Sequence, residues 1–233
     1  MRFITTFIKE AFEAIFPSRC EVCGESLVDG EEILCLHCLH SLPRTYCHRD
    51  SFGIVHQRVA LPGLPIDKGA AFFHYIKENP YAKLLQKGKY NSRPEICEHL
   101  GLLYANELNA EQFFDGIDML IPLPLHWTKR LRRGYNQSEM ICRGVSGATG
   151  ISIGDNLTAK RHSTQTRKTA SERQANVRGV FQVNHPEELE GKHILLVDDI
   201  ITTGSTIIAA ATAIRSAAPT ARISLLTLGC TKL

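Results

Sequence analysis

One stretch of fifteen residues, Lys192 to Thr206, constrains this chain more than any other; it reads KHILLVDDIITTGST. Ile194 to Val197 is a short unbroken apolar run, as suits a strand buried on both faces of a parallel sheet. Asp198 and Asp199 follow directly at its C-terminal end, the end at which open α/β sheets bind ligands. Thr202, Thr203, Gly204, Ser205 and Thr206 then set small hydroxyl residues around a glycine, and an alanine-rich helical pattern runs from Ile207 to Ala217. A turn of this kind entering a helix gathers backbone N–H groups and hydroxyls about one point, a setting for a phosphate. Carboxylates beside an anion site must serve something else, such as sugar hydroxyls or a bridging cation. Either Asp-Asp or Thr-Thr-Gly alone reads as an ordinary acidic turn and N-cap. The ordered combination of strand, acid pair, hydroxyl loop and helix is what sets the stretch apart from that ordinary reading.

The stretch resembles the PRPP-binding motif of type I phosphoribosyltransferases. The resemblance implies that Asp198 and Asp199 hold the ribose hydroxyls and form the catalytic acid pair. It also implies that Thr202, Thr203, Gly204, Ser205 and Thr206 cradle the 5′-phosphate, with Mg²⁺ accompanying PRPP. It says little about the acceptor.

With 233 residues the chain can bury one good core and carry a small accessory domain. A net charge of +3 does not by itself imply a nucleic-acid partner. The distribution says more: Lys129 to Arg178 holds eleven Lys or Arg against Glu139, Asp155 and Glu172, a local +8. Such a segment faces phosphates or another polyanion, or is simply a solvated basic face.

Met1 to Phe16 places apolar residues at helical spacing with Lys9, Glu10 and Glu13 opposite, and Pro17 stops the pattern. It reads as an amphipathic helix packed on the protein, with interfacial membrane contact as the alternative; it is too short to span a bilayer and lacks the form of a targeting signal. Cys20, Cys23, Cys35 and Cys38 then form two C-x-x-C pairs separated by eleven residues. Two such knuckles can hold one structural Zn²⁺ by four thiolates, whereas either pair alone reads equally as a redox dithiol. The other four cysteines are scattered, which argues against a disulfide framework and for a reducing, cytoplasmic setting.

Pro43 to Pro65 reads as an irregular connection. A first domain at 1–60, with the amphipathic helix and the four-cysteine zinc finger, and a second at 61–233 are therefore expected. Strands are expected at 69–76 and 119–125 and near 180–183 and 222–228, and helices at 80–87 and 94–108. Gly88 to Asn91 reads as a turn among basic residues. After Pro124, Arg130, Arg132 and Arg133 suit a pyrophosphate, which guanidinium groups bind through paired hydrogen bonds. Thr158 to Arg178 lacks apolar periodicity and reads as a long loop. The resemblance to phosphoribosyltransferases, which carry a mobile loop that closes over the substrate, implies Arg167, Lys168 and Arg173 as candidates for a lid at the pyrophosphate. Phe72, Phe73, Tyr75 and Trp127 are aromatic residues that either stack on a base or belong to the core.

The parts together resemble the ComF/GntX family. The resemblance rests on the C-x-x-C pairs, Ile121 to Leu125 (IPLPL), Arg132 to Gln137 (RRGYNQ), Gln165-Thr166, Asn176 to Gly179 and the Leu196 to Thr206 motif. It implies an α/β fold: a type I phosphoribosyltransferase-like parallel sheet flanked by helices, preceded by a small N-terminal zinc-binding domain. It implies a competence or DNA-uptake protein that binds PRPP, with transfer of phosphoribose to an unidentified acceptor left open. Single-stranded DNA and a competence helicase are the partners implied, and a homodimer is left open. The alternative is a non-catalytic PRPP sensor or single-stranded-DNA accessory protein.

Overall fold

The computed structural model describes residues 18–50, 53–90, 93–125, 130–131, 133–160 and 180–232. Alternation decides where the apolar runs go. Strand β1 is Gly69–His74, β2 Met119–Pro122, β3 Ser152–Ile153, β6 His193–Ile201 and β7 Arg222–Cys230. They form one sheet in the order β1-β7-β6-β2-β3, with every neighbouring pair parallel. In β6, Leu195 and Val197 enter one core layer while Ile194 and Leu196 enter the other; in β7, Leu226 and Leu228 oppose Ile223 and Leu225 in the same way. The period of two thus feeds both faces, which is why these strands read as continuous apolar runs.

Helices cover both faces. On one lie α3 (Pro80–Tyr90), α4 (Pro94–Asn109) and α5 (Gln137–Thr149); on the other lie α2 (Ile54–Val59) and α6 (Ser205–Ala217). Helices α4 and α5 touch along glycines. A Cβ on Gly101 would come within 2.6 Å of the Ile141 carbonyl, and one on Gly144 within 2.0 Å of the Glu98 carbonyl. The N-terminal cysteine region, with the short helix α1 (Leu36–His40), joins the first layer. Ile33, Leu34, Cys38 and Leu42 share a core with Phe73, Leu84 and Tyr81. No described helix is long and apolar enough to cross a membrane.

Several expectations change. The stretch expected to be irregular contains α2 and a 3₁₀ turn at Cys47–Arg49. Its first residues extend the sheet edge: Thr45 N–H donates to the Phe72 carbonyl at 3.1 Å, and His74 N–H to the Pro43 carbonyl at 2.8 Å. Helix α2 is too short to show a periodic stripe, and packing rather than pattern sustains it. The expected turn at Gly88 is the last turn of α3. Phe181–Val183 (β5) does not complete the sheet; it pairs antiparallel with β4 (Leu157–Ala159), which also takes Thr158 out of the expected loop. The amphipathic segment at 1–16 lies outside the described residues.

The chain order creates the crevice. From β2 the chain runs through α5 to β3 on one side, and from β6 through α6 to β7 on the other. The seam between β2 and β6 is therefore a topological switch point, where ligands of open α/β sheets bind.

Candidate functional site

At that seam the two strands end unequally. Pro122 of β2 pairs with Val197 and is the last residue of its strand, while β6 continues beside β7 through Asp198, Ile200 and Ile201. Pro122 and Pro124 have no N–H to extend the β2 ladder. Asp198 and Asp199 are thus held within a strand on one side and open to the crevice on the other.

Three elements meet the acid pair. The Ser138 hydroxyl donates to Asp198 Oδ1 at 3.1 Å, and the Asp199 amide donates to the same oxygen at 2.9 Å. Ser138 is placed by Asn136, which caps α5 by accepting from the Ser138 amide and reaches back to donate to the Leu123 carbonyl at 3.0 Å. From α3, Lys89 Nζ lies 2.7 Å from Asp199 Oδ2. Burial pushes the Asp198 carboxyl up to about 7, and the neighbouring Asp199 charge adds to the effect. The Asp199 amide, Ser138 and Lys89 only partly offset it.

The loop after β6 turns on Gly204, whose φ is +77°. Thr203 Oγ1 and Ser205 Oγ lie 2.9 Å apart across it, and the Ser205 amide donates to Thr203 Oγ1 at 3.4 Å. Arg58 of α2 staples the loop: its guanidinium donates to the Thr202 carbonyl, and also to the Thr231 carbonyl at 2.7 Å and the Lys232 carbonyl at 2.6 Å. A Cβ on Gly204 would come within 2.4 Å of the Arg58 carbonyl. Gly204→Ala is therefore expected to lower the unfolding free energy by at least about 2 kcal/mol, combining left-handed strain with a backbone clash. Denaturant titration measures it, and an unchanged midpoint would contradict this account of the loop.

The basic motif is only partly gathered. Arg130 Nη1 is 3.4 Å from Glu139 Oε1, and Arg133 Nη1 donates to Gln137 Oε1 at 2.9 Å. Arg130 lines a cavity of about 480 Å³ with Pro122, Pro124, Asn136, Asp155 and Thr158. The acid pair does not line this cavity; Asn136 links the two. Arg132, Arg167, Lys168 and Arg173 lie outside the described residues, as does Trp127. The chain leaves β4 at Lys160 and re-enters β5 from Val180, whose carbonyl accepts from the Lys160 amide at 2.8 Å. Lys160 and Val180, the described residues on either side of 161–179, are thus joined next to Thr158 and Ala159 of the cavity wall. Phe72 and Phe73 are core: Phe72 stacks on Tyr104 with centroids 4.5 Å apart.

The four paired cysteines converge. Their sulfurs all lie within 4.8 Å of one another, and this is the only such cluster of potential metal ligands among the described residues. Cys20 and Cys23 sit on a tight turn in which Gly24 has φ +80° and donates to the Cys20 carbonyl at 2.9 Å. The Cys35 amide points at Cys20 Sγ and the Cys38 amide at Cys35 Sγ, each at 3.4 Å. Burial opposes ionisation of Cys20, but the amides of Cys23, Cys35 and Val22 outweigh it and bring the thiol down to about 6. Burial, with the other three sulfurs, pushes Cys38 strongly up. Four thiols this close ionise together only with a cation among them, so the donor set fits a metal ion. All eight cysteines are free, and Cys47, Cys97, Cys142 and Cys230 are buried elsewhere.

A family model described as a phosphoribosyl transferase domain matches residues 151–229. The DNA utilization protein YhgH of Shigella flexneri is 26% identical over 202 residues, covering 82% of this chain and 88% of that protein. Competence protein F of Haemophilus influenzae is 31% identical over 147 residues, covering 60% and 63%. Together these likenesses support a ComF family protein. Among solved structures, the glutamine PRPP amidotransferase of B. subtilis shares 22% identity with this chain. That likeness has a TM-score of 0.41 over 56% of this chain and 25% of the other. The five-stranded parallel sheet with helices on both faces and the match from β3 into β7 make this a phosphoribosyltransferase-like fold.

Three groups at the site are not legible as such in the sequence. Arg58 lies in the stretch expected to be irregular, Lys89 sits in the expected turn among basic residues, and Ser138 belongs to no motif. Only Ser138 carries a local signal: an Asn two residues before it opens a helix and caps it.

Proposed function

We propose that the crevice at the β2/β6 seam binds PRPP with Mg²⁺. In this reading Asp198 and Asp199 take the ribose hydroxyls, and Thr202, Thr203, Gly204, Ser205 and Thr206 take the 5′-phosphate. Arg130, Arg132 and Arg133 take the pyrophosphate, with Arg167, Lys168 and Arg173 as lid residues. One observation carries it: the acid pair and the hydroxyl–glycine loop stand end to end on the strand that outruns its neighbour at the switch point. The hydrogen bond between Lys160 and Val180, beside the cavity-lining Thr158 and Ala159, supports the lid reading. The cysteine cluster holds one Zn²⁺ in a structural role.

Binding is better supported than turnover. Phosphoribosyl transfer needs preorganised charge around a developing oxocarbenium ion and a place for the nucleophile. The acids and cations supply the first. For the second, the described aromatic candidates Phe72 and Phe73 are buried in the core, and Tyr75 is partly buried against it. The names of the two relatives place them in DNA utilization and competence. By extension we infer that PRPP occupancy here serves a DNA-uptake role in the cytoplasm, beside single-stranded DNA and a helicase partner. Calorimetry with PRPP and Mg²⁺ is expected to show one site per chain. Pyrophosphate release across a panel of bases is expected to stay at the uncatalysed level. A folded protein that gives no heat with PRPP would sink the binding reading; burst or steady pyrophosphate release would restore turnover.

A further inference from the structure

The last turn of α3 is clamped on three sides. Lys87 Nζ reaches the cysteine region, meeting Glu21 Oε2 at 2.7 Å, and Arg93 Nη1 meets Glu21 Oε1 at 2.9 Å. The Gly88 carbonyl accepts from the Tyr135 hydroxyl and from Gln137 Nε2, and a Cβ at Gly88 would strike Cys97 Sγ at 2.9 Å. Two helical positions are about 200° apart around the axis, so Lys89 points away from the Lys87 side. Its ammonium meets Asp199, and the two side chains keep only 17% and 15% of their surface. A pair so withdrawn from water is not an incidental surface contact: either partner left alone would be a stranded charge.

We propose that Lys89 is the positioning residue of the acid pair: its ion pair fixes which carboxylate carries the charge and where it points, and so sets the pH at which the pair accepts ligand hydroxyls. This rests on the ribose assignment above. Two adjacent carboxylates would otherwise share one charge between alternative arrangements. With Lys89 fixed on Asp199, the proton resides on Asp198, whose carboxyl burial pushes up. The groups facing the pair are Lys89 from α3, Ser138 from α5 and Cys97 from α4; burial and the Asp199 charge push the Cys97 thiol up to about 12, so it stays neutral. Lys89 is thus the one cation among these facing groups.

The test follows carboxyl titration by NMR of aspartate-labelled, ligand-free protein, alongside calorimetry with PRPP and Mg²⁺ between about pH 5 and 9. The wild type is compared with Lys89→Met, Lys89→Gln and Lys89→Arg. In the neutral variants the Asp198 titration and the pH midpoint of PRPP affinity are expected to move up together by roughly one pH unit, with several-fold weaker binding near neutrality. Lys89→Arg, which keeps the charge, is expected to restore both. Two neutral variants of different polarity guard against a folding failure in either one, checked by the unchanged cysteine-bound metal content. An Asp198 titration that stays in place in the neutral variants would overturn the proposal whether or not PRPP binds. Absence of PRPP binding in the wild type, with the titration moving as expected, would remove the ligand reading and leave Lys89 as the organiser of the acid pair.

Discussion

Serine at Cys20 or Cys38 is expected to abolish metal binding at the four-cysteine cluster and to cost much of the protein's stability. Both residues are buried, and each contributes to the core that also holds Leu34, Leu42, Phe73 and Leu84. The cysteine cluster is therefore packed into the main core and is not a detached finger. Its collapse would uncover one layer of the sheet's packing and loosen Glu21 from Lys87 and Arg93. Structural zinc contributes on the order of 10 kcal/mol to small folded units. Part of that is retained here by the surrounding core, so a loss of about 4 kcal/mol or more is expected, seen as a Tm drop of about 10 °C or more. Metal analysis should find about one zinc per chain in the parent and none in the variants. Chelation of the parent should reproduce the drop. A reduced, metal-free parent with an unchanged Tm would show that packing alone holds the cysteine region.

Substitution of the acid pair is expected to move stability and ligand affinity in opposite directions. The Asp198 carboxyl is raised in the folded protein from 3.8 to about 7. The unfolded chain therefore ionises first as pH rises. The stability associated with this group is fully present below about pH 4 and is lost as pH climbs through about 7. Asp198→Asn removes that loss, so the variant should be more stable than the parent above neutrality, with the gap closing at acid pH. For PRPP the sign reverses: each charge-assisted hydrogen bond to a ribose hydroxyl contributes roughly 1–3 kcal/mol, so Asp198→Asn with Asp199→Asn should weaken binding by tenfold or far more. Thermal unfolding across pH and calorimetry read the two effects separately. A parent whose stability is flat between acid and neutral pH, or a double variant with parental PRPP affinity, would contradict the corresponding half.

Both outcomes together would mark a site rather than a scaffold, because a group that costs stability where it stands is retained for what it binds. Lys89 and Ser138 moderate that cost without removing it.

Much of this was written in local sequence. The apolar run at Ile194 to Val197, the acids after it and the Thr-Thr-Gly-Ser-Thr loop are contiguous, so their chemistry and order needed no tertiary information. The two C-x-x-C pairs likewise announced a four-sulfur cluster, because ligand spacing within each knuckle is a short-range property. What only the folded chain decided is long-range. That β2 stops one residue short of the acids, opening the crevice, depends on register between strands some 75 positions apart, as the Pro122–Val197 pairing shows. Arg58 reaches Thr202 across 144 positions, from a helix too short to leave a pattern. Lys89 reaches Asp199 because α3 continues through a Gly88 that reads as a turn, and the helix persists there since Tyr135, Gln137 and Cys97 pack around it. Sequence pattern reports which residue types a short segment offers; only close packing, which brings distant segments into contact, decides which of them share a charge.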